Sequence, residues 1–482
     1  MWNKPWTMSE GFLIGGGLII AGLALQLSVG PVVWEAFAWP ANGIVLAVFL
    51  AIIALIFILR KKVYAFQFIG TYQAAIPALV YAVVLTIIMG VTRQQVGGTW
   101  LNNMLSFWPF VLVYVYITVI LGVVTLKRLC VLPWHGNIRN VAFLLNHFGL
   151  FLALTTATLG NADMQRVKMI TAIGEPEWRA MTVDGAVKEM PIAIELKRFI
   201  METYDERVGE PSSGFGKPKR FASEIQILTK TGKNIETTVD VNKPYEVDGW
   251  KIYQYGYDTQ MGAQSQISIL ELVRDPWLPL VYAGIYMMLA GAVLLVVYTR
   301  WRMKRLLPIG ALLVVALMIV SYLMPIVRSN TLVPALQSPW FFPHILVYLV
   351  CYSLMGVAAV MSLWMLIKGD KSGLKVQHVD NLIYVGLIFM TFGMMFGAFW
   401  AKEAWGHYWS WDPKETWAAI TWLAYLVYLH NCQLPHHREK VGASVEMRLA
   451  LWMVIGSFIL LQMCWWGINY LPSAQGTSVH TY

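Results

Sequence analysis

Residues 41–59, ANGIVLAVFLAIIALIFIL, run for 19 residues without a charge and stop at the basic triplet Arg60-Lys61-Lys62. Coiled as a helix at about 1.5 Å per residue, such a run nearly spans a hydrocarbon layer of roughly 30 Å. Comparable uncharged runs lie at about 11–30, 73–92, 104–126, 140–160, 277–299, 306–327, 341–367, 381–400, 416–430 and 449–468. The run at 73–92 contains Pro77, and 416–430 is short. Hydrophobic residues make up 57% of the 482 and charged residues only 13%, against about 25% in an ordinary soluble chain. The mean hydropathy of +0.56 agrees. A soluble enzyme, a secreted factor and a disordered tail are excluded. The composition predicts an α-helical polytopic membrane protein of about 11 transmembrane helices.

The net charge of +9 is unevenly placed. Residues 161–275 hold 18 acidic and 15 basic residues, a net −3, so the rest of the chain carries +12. Basic clusters alternate between loops: Arg60-Lys61-Lys62, Lys127-Arg128 with Arg139, Arg300-Arg302-Lys304-Arg305, Lys368-Lys371-Lys375 and Arg438-Lys440-Arg448. By the positive-inside rule these loops are cytoplasmic, which makes the cations a topology signal and not a nucleic-acid footprint; no nucleic-acid partner is expected. The first run shows no small-residue cleavage site and is read as a retained span. The N-terminus is then inside, and the domain at 161–275, the loops 328–340 and 401–415 and the C-terminal tail are outside. The exported domain reads as β-rich. Ser223–Leu228 and Ile235–Val241 alternate around Lys230-Thr231-Gly232-Lys233 as a hairpin, Trp250–Tyr255 is a further strand, and 211–220 reads as a flexible loop.

Cys130, Cys351, Cys432 and Cys464 form no CxxC, and none lies in 161–275, so that segment has no disulfide framework and the chain cannot run dithiol chemistry by itself. No Walker A motif is present, which argues against ATP use. Of nine histidines, His135, His378, His436 and His437 fall in the cytoplasmic loops and read as solvated side chains. His147 lies eight residues beyond Arg139 and His430 eight before Arg438, so both sit roughly 12 Å from a cytoplasmic anchor and share a depth. Two readings are open for them: hydrogen bonding between helices, or a pair of axial metal ligands. His344 begins the eighth span, and His480 lies in the exported tail.

Between those two lies 400–422, WAKEAWGHYWSWDPKETWAAITW, with six tryptophans at 400, 405, 409, 411, 417 and 422. An interfacial aromatic belt accounts for some of them. A flat apolar shelf for a large planar ligand accounts for the density, and for Asp412-Pro413-Lys414-Glu415 among them. Planar ligand and histidine pairs together suggest haem, with one bis-histidine station at each face. Arg139 or Arg438 would meet propionates at the inner one. His407 reads as a supporting or surface residue, and Asp412 with Glu415 as a helix cap.

The stretch Trp405-Gly406-His407-Tyr408-Trp409-Ser410-Trp411-Asp412-Pro413-Lys414-Glu415-Thr416 resembles the WWD signature of haem-handling membrane proteins, in the form of the CcsA (ResC) type. The resemblance extends to LVPALQSPWFFPH (332–344) and to His480. NHFGL (146–150), the exported domain and VDGWKIYQYGYD (247–258) are similar to the CcsB (ResB) type. The chain thus resembles a fused cytochrome c synthase of system II cytochrome c biogenesis: two extra N-terminal spans at 1–60, a CcsB-like part at 61–300 holding the β-rich domain, and a CcsA-like part at 301–482.

The resemblance implies haem b carried across a bacterial cytoplasmic (inner) membrane and attached to CxxCH motifs of an exported apocytochrome c. A thioredoxin-like thiol reductant outside the membrane would keep those thiols reduced. It implies His147 and His430 as iron ligands at the inner site and His344 and His480 at the outer one. Trp400 and Trp417 would line the haem, and Trp405, Trp409, Trp411 and Asp412 would carry the attachment. Two other functions fit the histidines alone: a b-type transmembrane electron carrier, and a haem exporter or chaperone without ligase activity.

Overall fold

The computed structural model describes residues 2–95, 97–98, 100–131, 137–183, 185–204, 217–299, 332–434 and 445–474. The expected span at 306–327, His135, His436, His437 and His480, and most of the loop 211–220 lie outside them. Eleven α-helices are described: α1 (Met8–Val29), α2 (Ala41–Leu59), α3 (Tyr64–Ile69), α4 (Tyr72–Val91), α5 (Trp108–Leu129), α6 (Ile138–Gly160), α7 (Leu278–Thr299), α8 (Phe341–Lys368), α9 (Val376–Trp405), α10 (Pro413–Asn431) and α11 (Val445–Trp465). All but α3 coincide with an expected span, and nine described helices are long and apolar enough to cross a membrane. The protein is a polytopic membrane protein.

Pro77 does not break α4. It removes the amide that would bond the Gln73 carbonyl, and α1 packs there through Gly11. A Cβ on Gly11 would lie 2.3 Å from that carbonyl oxygen and 2.8 Å from the Pro77 ring. The short run at 416–430 becomes α10 because Asp412 caps it and Pro413 opens it, lengthening the helix toward the sheet. α8, α9, α10 and α11 bury a shared core that includes Cys351, Met355, Leu382, Met390, Tyr425, Tyr428 and Val454. α4 packs along α10 and joins the two halves of the chain.

Between α6 and α7 the chain forms one eight-stranded antiparallel sheet: β1 (Gln165–Ala172), β2 (Pro176–Thr182), β3 (Val187–Thr203), β4 (Pro218–Thr229), β5 (Asn234–Asp240), β6 (Tyr245–Val247), β7 (Trp250–Tyr257) and β8 (Ile267–Arg274), in the order β5-β4-β3-β2-β1-β8-β7-β6. The expected hairpin is β4–β5, with Ile225 opposite Thr237 and Ile227 opposite Ile235. Pro218–Arg220, expected in a loop, extend β4. Arg220 there holds Asp240 and Glu202, which fixes the strand end.

The first and last strands are neighbours, Gln165 facing Arg274, so α6 enters and α7 leaves beside each other. Those helices pack at small residues: a Cβ on Gly149 would lie 2.7 Å from the Gly284 oxygen, and one on Gly291 2.4 Å from the Asn146 amide nitrogen. The sheet also coils over itself. Ser223 of β4 donates to Gln254 of β7 at 2.7 Å although four strands separate them in the sheet. The wrapped interior is filled by Val167, Met169, Ile192, Ile194, Leu196, Ile225, Ile252, Leu270 and Leu272.

Candidate functional site

α9 ends beneath the sheet because Gly406 adopts φ +78°, a left-handed conformation that glycine tolerates. Close approach adds a second demand: a Cβ there would lie 3.0 Å from Val273 and 3.2 Å from Tyr253, on β8 and β7. The tryptophan segment is thus turned against the sheet. Under the turn, Lys402 is 3% exposed and donates to the Gly406 carbonyl at 2.9 Å. Asp275, on the link from β8 to α7, feels its charge. Burial raises the Asp275 carboxyl above its ordinary range despite Lys402 and the amides of Trp277 and Leu278. Burial likewise pushes the Tyr253 and Tyr408 phenols up, so both stay neutral. His407 is buried at 8% exposure, which removes its reading as a surface residue.

A loop from the other side completes the enclosure. Asn242 donates to the Pro334 carbonyl at 2.8 Å, Tyr204 to Leu332 at 3.0 Å and Gln337 to Lys219 at 2.8 Å. Trp340 donates to Glu403 at 2.9 Å, and Trp400 to Ala335 at 2.8 Å. Residues 332–340 are therefore clamped between the sheet and α9, immediately before His344. His344 donates from Nδ1 to the Gly393 carbonyl at 2.8 Å, and its ring meets Trp400 edge-on at 5.7 Å.

The tryptophans do not make one flat shelf. Trp400 and Trp405 are tilted by 41° at 5.5 Å, and Trp409 and Trp411 cross at 86° at 5.7 Å. Indoles in contact prefer edge-on and tilted arrangements because of their quadrupoles. Trp417 turns away into a cluster with Ile420, Ile468 and Ala474, where a Cβ on Gly90 of α4 would come within 3.1 Å of its Nε1. Ser473 donates to the Gly90 carbonyl at 2.9 Å, pinning the tail beside it. The buried Nε1 atoms of Trp409 and Trp417 have no acceptor among the described residues. Asp412 accepts from the Glu415 amide at 2.8 Å, and the Glu415 carboxylate accepts from the Ser410 and Asp412 amides at 2.7 and 3.2 Å. The observed work of Asp412 is that of a cap.

At the opposite membrane face, His147 in α6 and His430 in the last turn of α10 are close enough for the charge of one to be felt by the other. His147 donates from Nδ1 to the Phe143 carbonyl at 3.0 Å, and His430 to Leu426 at 2.8 Å. All three described candidate histidines share this pattern. A proton held on Nδ1 leaves the lone pair on Nε2, the tautomer an iron ligand needs. Tyr72 of α4 meets His430 edge-on at 6.1 Å.

Among the described residues the cation whose charge reaches His147 is Arg128; of the two arginines expected there, Arg438 lies outside the described residues. Arg128 donates to Asn140 at 3.0 Å and lies over the Phe143 ring at 4.3 Å, whereas Arg139 is exposed. The sequence signal was available: Arg128 ends α5, a short loop precedes α6, and antiparallel helices place it beside the first turns of α6. His378 is exposed, as expected, and accepts from the Lys375 amide.

Residues 277–474 match the model of the cytochrome C assembly protein family, and residues 124–267 match that of the ResB-like family. Curated relatives are similar to the C-terminal part. The cytochrome c biogenesis protein CcsA of Chlamydomonas reinhardtii is 37% identical over 166 residues, covering 32% of this chain and 44% of the relative. A CcsA of Prochlorococcus marinus is 33% identical over 202 residues, covering 34% and 60%. CcsA of Guillardia theta is 28% identical over 272 residues, covering 48% and 86%. This chain spans about half the length of the first two relatives.

Proposed function

Because the chain joins a ResB-like part to a cytochrome c assembly part, and so belongs to the fused CcsB–CcsA family of cytochrome c biogenesis, we propose that it moves haem across the membrane and attaches it to apocytochrome c. In this reading the face holding His147 and His430 is cytoplasmic, and the sheet face is outside, in a bacterial cytoplasmic membrane. The observation that carries the reading is the shared hydrogen bond: His147, His344 and His430 each hand the Nδ1 proton to a backbone carbonyl. Two lie at one face and one at the other, so Nε2 lone pairs are set for iron at both levels.

Haem is the substrate. At the inner level His147 and His430 receive it, with Arg128 a cation for a propionate. At the outer level His344 and His480 hold the iron. The buried indole N–H of Trp409 fits a carboxylate or other acceptor, since an unpaired buried donor costs about 1–3 kcal/mol. The walls made by Trp400, Trp405 and Trp411 restrain the macrocycle, and the sheet with the loop 332–340 closes over it. The CxxCH thiols then add across the vinyl groups: sulfur bonds one carbon, its hydrogen goes to the other, and no net oxidation occurs. Neighbouring side chains contribute placement, worth several orders of magnitude in effective concentration. Asp412 holds the segment's helix in position. The apocytochrome must arrive reduced, which assigns a thioredoxin-like reductant to the outside.

Coexpression with a CxxCH reporter tests the proposal. Thioether-linked haem on the reporter, lost when both cysteines become serine, is the expected result. Haem that copurifies with the chain but never becomes covalent would leave a carrier or an electron-transfer protein.

A further inference from the structure

A cavity of about 330 Å³ opens at the membrane face opposite the sheet, lined by Arg60, Lys61, Phe66, Gln67, Gly70, Val123 and Lys127. Its walls come from the end of α2, from α3 and from the last turn of α5. Topology alone explains why basic residues lie on this face. It does not explain why cations from two loops 66 residues apart converge on one hollow. Arg60 is engaged with the Phe57 carbonyl and ring, and Lys127 donates to the Gly70 carbonyl at 3.2 Å. None of the three cations pairs with a carboxylate among the described residues. Like charges gathered around a recess repel unless an anion enters it. The floor is apolar, from Val123 and Phe66. The helix that supplies Arg60 turns Ile52, Leu55 and Ile58 outward, 46%, 53% and 69% exposed, where acyl chains would run.

We infer that this cavity binds the phosphate headgroup of an anionic phospholipid, with its acyl chains laid along α2. The site belongs to the junction of α2 and α3 with α5 and is independent of the haem reading. Its role is to fix α2 and α3 against α5 through a lipid shared between them, since the cations alone push those elements apart.

Native mass spectrometry of the detergent-purified full chain tests this, with phosphatidylglycerol, phosphatidylcholine, inorganic phosphate and haemin as separate probes. The wild type should retain phosphatidylglycerol about tenfold better than phosphatidylcholine. Arg60→Gln/Lys61→Gln/Lys127→Gln should lose that preference. Gly70→Leu should lose it too, without any change of charge: its Cβ would sit 3.5 Å from Val123 and 3.9 Å from the Lys127 stem, in ordinary contact, with the rest of the side chain filling the hollow. Lys371→Gln/Lys375→Gln, on another basic loop of the same face, should keep it. The inference is overturned if that control loses as much as the triple variant, or if Gly70→Leu retains the lipid. Displacement by millimolar phosphate would mark a free-anion site, and displacement by haemin a haem site; either also overturns it.

Discussion

The His147 imidazole lies flat on the Phe143 ring, centroids 3.8 Å and planes 16° apart, while its Nδ1 donates to the carbonyl of the same residue at 3.0 Å. Residues four apart on a helix share a face, so one turn of α6 fixes both the plane and the tautomer of the histidine. The Arg128 guanidinium lies over the same Phe143 ring. Phe143 therefore sets the ring that would hold iron without touching iron itself.

Phe143→Leu keeps the carbonyl but removes the stack. Supporting residues of this kind typically change metal affinity by about 10–100-fold. Haem bound through His147 and His430 should weaken by about tenfold, seen as a rise in the haem concentration needed to develop the Soret band, with the melting temperature little changed. An unchanged titration would show that the stack does not orient the ligand.

His344 supports a second prediction. Its ring is placed by the Gly393 carbonyl and by Trp400, and close packing reinforces the placement, because a Cβ on Gly397 would fall 2.9 Å from its Cε1. His344→Gly should abolish most thioether product, and added imidazole should restore a large part of it by filling the vacated ligand position. Gly397→Val should displace the ring and lower product without rescue by imidazole. Failure of imidazole to restore activity in His344→Gly would assign His344 a packing role.

For Asp412 the cap geometry discriminates between two roles. Its carboxylate accepts the Glu415 amide, and an N-cap substituted by alanine costs about 1 kcal/mol. Asp412→Asn retains an acceptor at that position. Asp412→Ala should lower the melting temperature and product yield together, while Asp412→Asn should stay near wild type in both. A stable, inactive Asp412→Asn would make the carboxylate a participant in the attachment.

Much of this was readable from residue order because bilayer physics is simple. An uncharged run of the right length has few alternatives, and α1, α2, α4 and α6 begin and end within a few residues of their expected limits. The six-residue α3 lacks the length to register as a span. The sheet was legible at the β4–β5 hairpin, where residues alternate, and at β7, where the expected strand Trp250–Tyr255 forms. In β1, QRVKMITA, the pattern is broken by Ile170, which faces outward, and by Thr171, which is buried and satisfied by the Ser268 carbonyl. Depth along a helix follows from counting, so the shared depth of His147 and His430 was accessible. The angles between indoles and the burial of Lys402 were not, because both depend on how the sheet docks, which no local pattern encodes.

Asp275 makes that docking sensitive to pH. Burial raises its carboxyl from the usual 3.8, outweighing the charge of Lys402 and the two amides. The folded protein then holds this proton more tightly than the unfolded chain does. Stability from this group is fully present below 3.8 and is lost as pH rises through the folded value. Thermal melts of the detergent-solubilised protein should thus show a contribution that declines as pH rises above 3.8. Asn in place of Asp keeps an oxygen for the Trp277 amide, now 3.2 Å from Oδ1, and removes the titration. Asp275→Asn should flatten that decline and melt at or above the wild type near neutrality. Proteolysis of the sheet should respond in the same direction, slowing in the variant at neutral pH. A slope identical to wild type would move the titrating group elsewhere. A lower neutral melting temperature would mean that the attraction of the Lys402 charge outweighs the cost of burying the carboxylate.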